Sequence, residues 1–205
     1  IFPSKYIHIG GDECPKTSWK NSDECQEIIK KNGLKDEHEF QSYFIQRIEK
    51  YLNSKGREII GWDEILEGGL APNATVMSWR GFDGGVAAAQ SKHKVIMTPG
   101  EFCYFDHYQG EPDTEPLSIG GYTSVAKVYQ FDPVPATLKA DERQYVLGAQ
   151  GNVWTEYMPD NKQVEYMVFP RIDALSEVLW TNAENKDYVR FCSILPEQFK
   201  RYDVQ

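Results

Sequence analysis

Short apolar runs alternate with longer segments of helical period along the chain. Residues 6–9, 58–62, 74–79, 94–98 and 146–150 are apolar, bounded by Gly, Pro, Asn or Asp, and predict strands. Residues 24–31 predict a short helix. A longer one is predicted over 37–54, with Asp36 as its N-cap, Glu39 in its first turn and Gly56 as its stop. In it Phe40, Tyr43, Phe44, Ile48, Tyr51 and Leu52 keep helical spacing and predict a core stripe. Further helices are predicted over 86–91, 124–130 and 162–181. The last turns Val164, Met167, Val168, Ile172, Leu175 and Leu179 inward and is kinked at Pro170. The tail 188–202 adds a helix with a break at Pro196, and the Gly- and Pro-rich stretch 108–121 reads as a loop. No repeat, low-complexity tract or linker divides the chain, so 1–205 reads as part of one domain.

Regular β-α alternation predicts a parallel sheet with helical crossovers. The strand ends carry the chemistry. After the first run come Gly10 and Gly11, then adjacent carboxylates Asp12 and Glu13. Neighbouring side chains on a strand point to opposite faces, and the glycines let the backbone leave that pleat. Both acids can then reach one place. A pair of close carboxylates suits glycosidic bond cleavage, which needs an acid for the leaving oxygen and an anion near a developing cation. The alternative is a polar loop in which Asp12 caps the next helix. Four more strand ends follow: Gly61-Trp62-Asp63-Glu64, Ser78-Trp79-Arg80-Gly81, Cys103-Tyr104-Phe105-Asp106-His107-Tyr108 and Asn152-Val153-Trp154-Thr155-Glu156-Tyr157. Each delivers an aromatic and most a carboxylate, the pair with which proteins hold sugars: rings stack on pyranose faces and carboxylates accept from hydroxyls.

Composition narrows the classes. At 205 residues and 40% hydrophobic content, the chain can bury one sizeable core. A net charge of −9 without a basic cluster argues against nucleic acid and anionic membrane surfaces. No apolar run approaches the ~20 residues of a membrane span. Cys14, Cys25, Cys103 and Cys192 are too sparse for a disulfide framework and lack zinc-ligand spacing. A grouping of His8, Asp12 and Cys14 has irregular spacing for a metal. His8 reads as a bonded core residue, and Trp19 and Trp180 as packing. Asp63 and Glu64 read as groups tuning the site, one of them capping a helix, and His107 as lying behind the site. The opening Ile1-Phe2-Pro3 reads as an internal cut, and no signal segment is visible.

The motifs His8-Ile9-Gly10-Gly11-Asp12-Glu13, Gly61-Trp62-Asp63-Glu64, Ser78-Trp79-Arg80-Gly81, Tyr104-Phe105-Asp106 and Trp154-Thr155-Glu156, in this order over nearly the whole chain, resemble the β-N-acetylhexosaminidases of glycoside hydrolase family 20. The resemblance implies a partial TIM (β/α)8 barrel, with this chain as strands four to eight. A complete barrel has eight strands and about 250 residues. The first three strands, and the family's sugar-binding Arg on the first of them, have no counterpart here. It implies removal of terminal N-acetyl-β-hexosamines by substrate-assisted hydrolysis, in which the sugar's own acetamido oxygen attacks the anomeric carbon. Glu13 would be the acid and then the base, with Asp12 orienting the acetamido group and stabilising its positive charge. Tyr104 would bond the acetamido oxygen. Trp62, Trp79 and Trp154 would wall and stack on the sugar, and Asp106 and Glu156 would accept from its hydroxyls. No metal or cofactor is implied. The implied partners are glycans ending in N-acetylglucosamine or N-acetylgalactosamine, with association of fragments through open sheet edges, and the implied location is exported. Rival readings are a non-catalytic sugar-binding fragment, which need not keep the Asp-Glu pair, and a chitinase-like barrel, whose alternating D-x-D-x-E pattern is absent.

Overall fold

The computed structural model describes residues 2–202. In chain order its elements are β1 (Tyr6–His8), α1 (Thr17–Lys20), α2 (Asp23–Lys31), α3 (Glu37–Ser54), β2 (Glu58–Trp62), β3 (Thr75–Ser78), α4 (Asp83–Gln90), β4 (Val95–Met97), α5 (Gly100–Cys103), α6 (Val125–Tyr129), β5 (Val146–Ala149), α7 (Asn161–Val168), α8 (Arg171–Trp180) and α9 (Tyr188–Tyr202). The five strands form a sheet in sequential order, β1-β2-β3-β4-β5, and the first four pair in parallel. All five predicted strands are present. The chain divides into two compact units, one of Ile1–Met97 with Val134–Leu147, the other of Thr98–Pro133 with Gly148–Gln205.

In the first unit every residue of β3 is buried, as expected of a central parallel strand covered on both faces. The strands at the two ends of the sheet order are more open: no residue of β1 is fully buried, and Leu147 of β5 is exposed. Asp36 caps α3 as predicted, its Oδ1 accepting from the amides of His38 and Glu39 at 2.9 Å each. The predicted core stripe of α3 is corrected. Phe44 and Tyr51 are 58% and 61% exposed, and the buried face is Gln41, Ser42, Ile45 and Glu49. The reason is what α3 rests on. Besides β2, it lies against the backbone of the segment between β2 and β3, whose polar groups need partners. Gln41 Nε2 donates to the Glu64 carbonyl at 3.2 Å, Ser42 Oγ donates to the Gly69 carbonyl, and Glu49 Oε1 accepts from the Asn73 amide at 2.6 Å. Phe40 keeps a packing role, edge-on to Trp19 at 5.0 Å.

In the second unit the predicted single helix over 162–181 is two. α7 stops at Val168 and α8 restarts at Arg171. A proline has no amide to donate and crowds the carbonyl four residues back, and here Pro170 breaks rather than kinks. Met167 of α7 and Ala174, Leu175 and Val178 of α8 are buried, and Arg171 is buried with them. α9 runs through Pro196 without the expected break. Trp180, expected to pack, is 90% exposed. It sits two residues past Val178, on the opposite side of the helix from the buried face. All four cysteines are free thiols. No helix among the described residues is long and apolar enough to cross a membrane.

Candidate active site

The first unit carries Asp12, Glu13, Trp62 and Trp79. Pairing of β1 with β2 continues beyond His8, with the Ile9 amide donating to Ile60 O and the Trp62 amide to Gly10 O. Gly10 and Gly11 then take φ of +72° and +94° and turn the chain out of the sheet. A Cβ on Gly11 would stand 2.6 Å from Ile65 Cγ2, and one on Gly61 2.7 Å from the same atom. The Ile65 side chain therefore favours glycine at both positions. His8 does not sit in the core: its residue is exposed and its Nδ1 accepts from the Gly10 amide at 3.1 Å. Asp12 and Glu13 follow, both exposed, and Glu13 itself has φ of +44°. A left-handed backbone on a non-glycine residue costs free energy, and such strain gathers at functional positions. Asp12 caps no helix: the N-cap position of α1 is Lys16, with no side-chain bond there.

Trp62 closes β2, 8% exposed, with its ring 4.9 Å from that of His8. Trp79 lies on a tight turn after β3. Ser78 makes that turn, its Oγ donating to the Gly81 carbonyl and accepting from the Gly85 amide at 2.8 and 2.9 Å. Asp63 and Glu64 cap nothing. Glu64 accepts from Trp79 Nε1 at 3.2 and 3.0 Å, and Asp63 accepts from Arg80 Nε at 2.9 Å. Both carboxylates are buried. Desolvation, with Glu64 beside it, pushes the Asp63 carboxyl up to about 6 against the pull of Arg80.

The second unit carries Tyr104, Asp106, Trp154 and Glu156. The one-turn helix α5 separates β4 from Tyr104, so this motif lies on a loop rather than at a bare strand end. The loop is tied to the segment after β5: Phe105 N donates to Asn152 O at 2.8 Å, and Asn152 N to Cys103 O at 2.7 Å. That stitch brings the ring of Tyr104 to 6.4 Å from that of Trp154. Trp154 and Glu156 are exposed. Asp106 is buried, and its Oδ1 has no hydrogen-bond partner among the described residues. Burial, with the charge of Glu156, pushes its carboxyl up to about 6. A buried carboxylate oxygen without a donor is costly, and a hydroxyl from a ligand would satisfy it. His107 is structural: its Nδ1 meets Thr123 Oγ1 at 3.0 Å, and its ring packs on the backbone of Gly121.

Two arginines carry roles that sequence spacing does not reveal. Arg80 stands next to Trp79, and its partner Asp63 lies 17 residues earlier, so no local pattern marks the pair. Arg171 lies wholly buried and donates to the carbonyls of Phe105, His107, Thr123 and Met167. Its position, four residues after Met167 and four before Leu175, is a core position on a helical period, which marked it as a buried charge with work to do.

The family model described as glycosyl hydrolase family 20, catalytic domain, matches residues 1–183. The chain belongs to this family. Among curated family 20 relatives, a β-hexosaminidase of Porphyromonas gingivalis is 54% identical over all 205 residues, which make up 26% of its length. A β-hexosaminidase of Vibrio furnissii is 34% identical over 86% of this chain and 29% of its own. Among solved structures, a GH20 exo-β-N-acetylglucosaminidase of Vibrio harveyi in complex with N-acetylglucosamine superposes with a TM-score of 0.89 at 28% identity, covering 100% of this chain and 32% of that one. The chain thus spans about a quarter to a third of the length of these relatives. Its five strands with helices match part of the family 20 fold.

Proposed function

We propose that the protein hydrolyses terminal, non-reducing N-acetyl-β-hexosamine residues by substrate-assisted retaining chemistry. The observation that carries this reading is the Asp12–Glu13 pair, lifted off the end of β1 by two left-handed glycines and exposed to solvent in a family 20 chain. Glu13 protonates the glycosidic oxygen and later deprotonates the attacking water. Asp12 orients the acetamido N–H and balances the charge of the oxazolinium that forms when the acetamido oxygen attacks. Tyr104 hydrogen-bonds that oxygen. Trp62, Trp79 and Trp154 wall the acetamido group and stack on the ring, while Asp106 and Glu156 accept from hydroxyls. A fixed anion beside a developing cation supplies the largest share of such a rate enhancement. The N-acetylglucosamine bound by the Vibrio harveyi structure supports the substrate class.

The test is turnover of an aryl N-acetyl-β-glucosaminide against the plain aryl β-glucoside, in a chain extended to family length. The first should be cleaved and the second ignored, because no enzyme nucleophile replaces the acetamido oxygen. Glu13→Gln should lower turnover of substrates with poor leaving groups by roughly 10²-fold or more, the scale of general acid catalysis, and affect activated phenolates less. The 205-residue chain alone should be inactive. Efficient cleavage of the plain glucoside would overturn the substrate-assisted reading.

A further inference from the structure

The residues that touch the sugar in this reading need fixed orientations, and Trp79 has a device for it. Its indole N–H donates to both oxygens of Glu64, at 3.2 and 3.0 Å. The Glu64 side chain is only 8% exposed, so it cannot swing into solvent. Arg80, the next residue after Trp79, lies 3.7 Å from Glu64 Oε1 and donates to Asp63 at 2.9 Å. Asp63 is pinned in turn by the backbone of Gly84, where a Cβ would come within 2.7 Å of its carboxylate. The turn carrying Trp79 and Arg80 is thus fastened to the segment after β2 through one indole and one guanidinium. An indole with an apolar bed alone can slide and rotate in its plane. A buried acceptor at its N–H edge removes that freedom, and the bond is worth more here than in water because its carboxylate end is desolvated.

We propose that Glu64 is a positioning residue for the hydrolysis, orienting Trp79 as the acetamido wall and so setting how large an acyl group the site accepts. The inference rests on the functional reading above, in which Trp79 lines the acetamido pocket. It follows that Glu64 acts on substrate only through the indole. What matters is the place and acceptor character of its oxygen, more than its charge.

The experiment compares Glu64→Asp and Glu64→Gln in a chain of family length, using an aryl N-acetyl-β-glucosaminide and its N-propionyl analogue. Glu64→Asp keeps the charge for Arg80 but withdraws the oxygens from Nε1 by one methylene. Glu64→Gln keeps an oxygen in place and removes the charge. Glu64→Asp should lose about tenfold in kcat/KM on the N-acetyl substrate, consistent with the cost of small misplacements. Its preference for N-acetyl over N-propionyl should fall at least about threefold, as the wall loosens. Glu64→Gln should keep the wild-type preference. A preference unchanged in Glu64→Asp, or lost equally in Glu64→Gln, would overturn the proposal. Should Glu64→Asp fail to fold cooperatively, the indole N–H proton resonance of Trp79, assigned by its absence in Trp79→Phe, decides instead. It should lie downfield in the wild type and in Glu64→Gln and move upfield in Glu64→Leu, which removes the acceptor, and an unmoved resonance in Glu64→Leu would overturn the proposal. A wild-type chain that fails to cleave the N-acetyl substrate at all would strike the functional reading and not this one.

Discussion

Arg171 offers the most demanding test of how the second unit is held. It is 0% exposed, and no salt bridge to it exists among the described residues within 4.0 Å. Burial lowers its guanidinium to about 10, which leaves it charged at neutral pH. Its solvation comes from four backbone carbonyls: Nε donates to Met167 O at 3.0 Å, Nη1 to His107 O and Thr123 O at 2.9 and 3.0 Å, and Nη2 to Phe105 O at 2.5 Å. The ring of Phe105 lies 5.2 Å from its Cζ. Two of those carbonyls flank Asp106, so one side chain fixes the backbone of a proposed sugar ligand.

Arg171→Met keeps the length and removes every donor. Each hydrogen bond to a charged group contributes about 1.5–3 kcal/mol, and each carbonyl left dry costs about 1–3 kcal/mol. These do not add, because removing the guanidinium also removes its own desolvation cost. A net loss of about 3–5 kcal/mol is expected, because four buried carbonyls lose their donors while the guanidinium's own desolvation cost disappears with it. Against a typical total of 5–15 kcal/mol, that shows as a large drop in urea midpoint. Arg171→Lys should recover little, since one ammonium cannot reach four carbonyls in a fork. The assay is urea unfolding followed by far-ultraviolet circular dichroism at constant pH. A loss below about 1 kcal/mol in Arg171→Met would refute the account, and so would full recovery by lysine.

Two further outcomes are expected. Asp63 and Asp106 have carboxyls raised from the ordinary 3.8 to about 6, so between those values the folded chain binds protons that the unfolded chain has released. Each therefore lowers stability as pH rises through that window, by at most about 3 kcal/mol at 1.36 kcal/mol per unit. Asp106→Asn should gain on the wild type between pH 4 and pH 7 in urea midpoints, and a gap independent of pH would refute the raised carboxyl. Gly11→Ala should cost more than Gly33→Ala: both have positive φ, but only at Gly11 does a Cβ meet a neighbour, Ile65 Cγ2 at 2.6 Å. Strain alone is worth about 1 kcal/mol, and equal losses in thermal unfolding would show that Ile65 yields freely.

The strands were legible because a parallel strand covered on both faces carries a short apolar run, as Val95–Met97 shows. The α3 cap was legible because Asp36 is a local signal, read by amides two and three residues on. The face of α3 was not. Hydrophobic period assumes that apolar side chains seek the core, yet α3 meets loop carbonyls and amides, and Gln41, Ser42 and Glu49 satisfy them. The same blindness hid Arg171, whose partners are carbonyls up to 66 residues away in sequence. A cap role for one of Asp63 and Glu64 follows from a local rule for helix starts, while their partners, Arg80 and Trp79, come from the next strand's turn. The aromatics and acids proposed for the sugar thus stood in the sequence as motifs. The polar groups that hold them in place did not, because a support is defined by a contact between elements rather than by spacing within one. The more a site depends on buried polar supports, the less of its precision a single sequence can disclose, and the variants of Glu64 and Arg171 measure that hidden share directly.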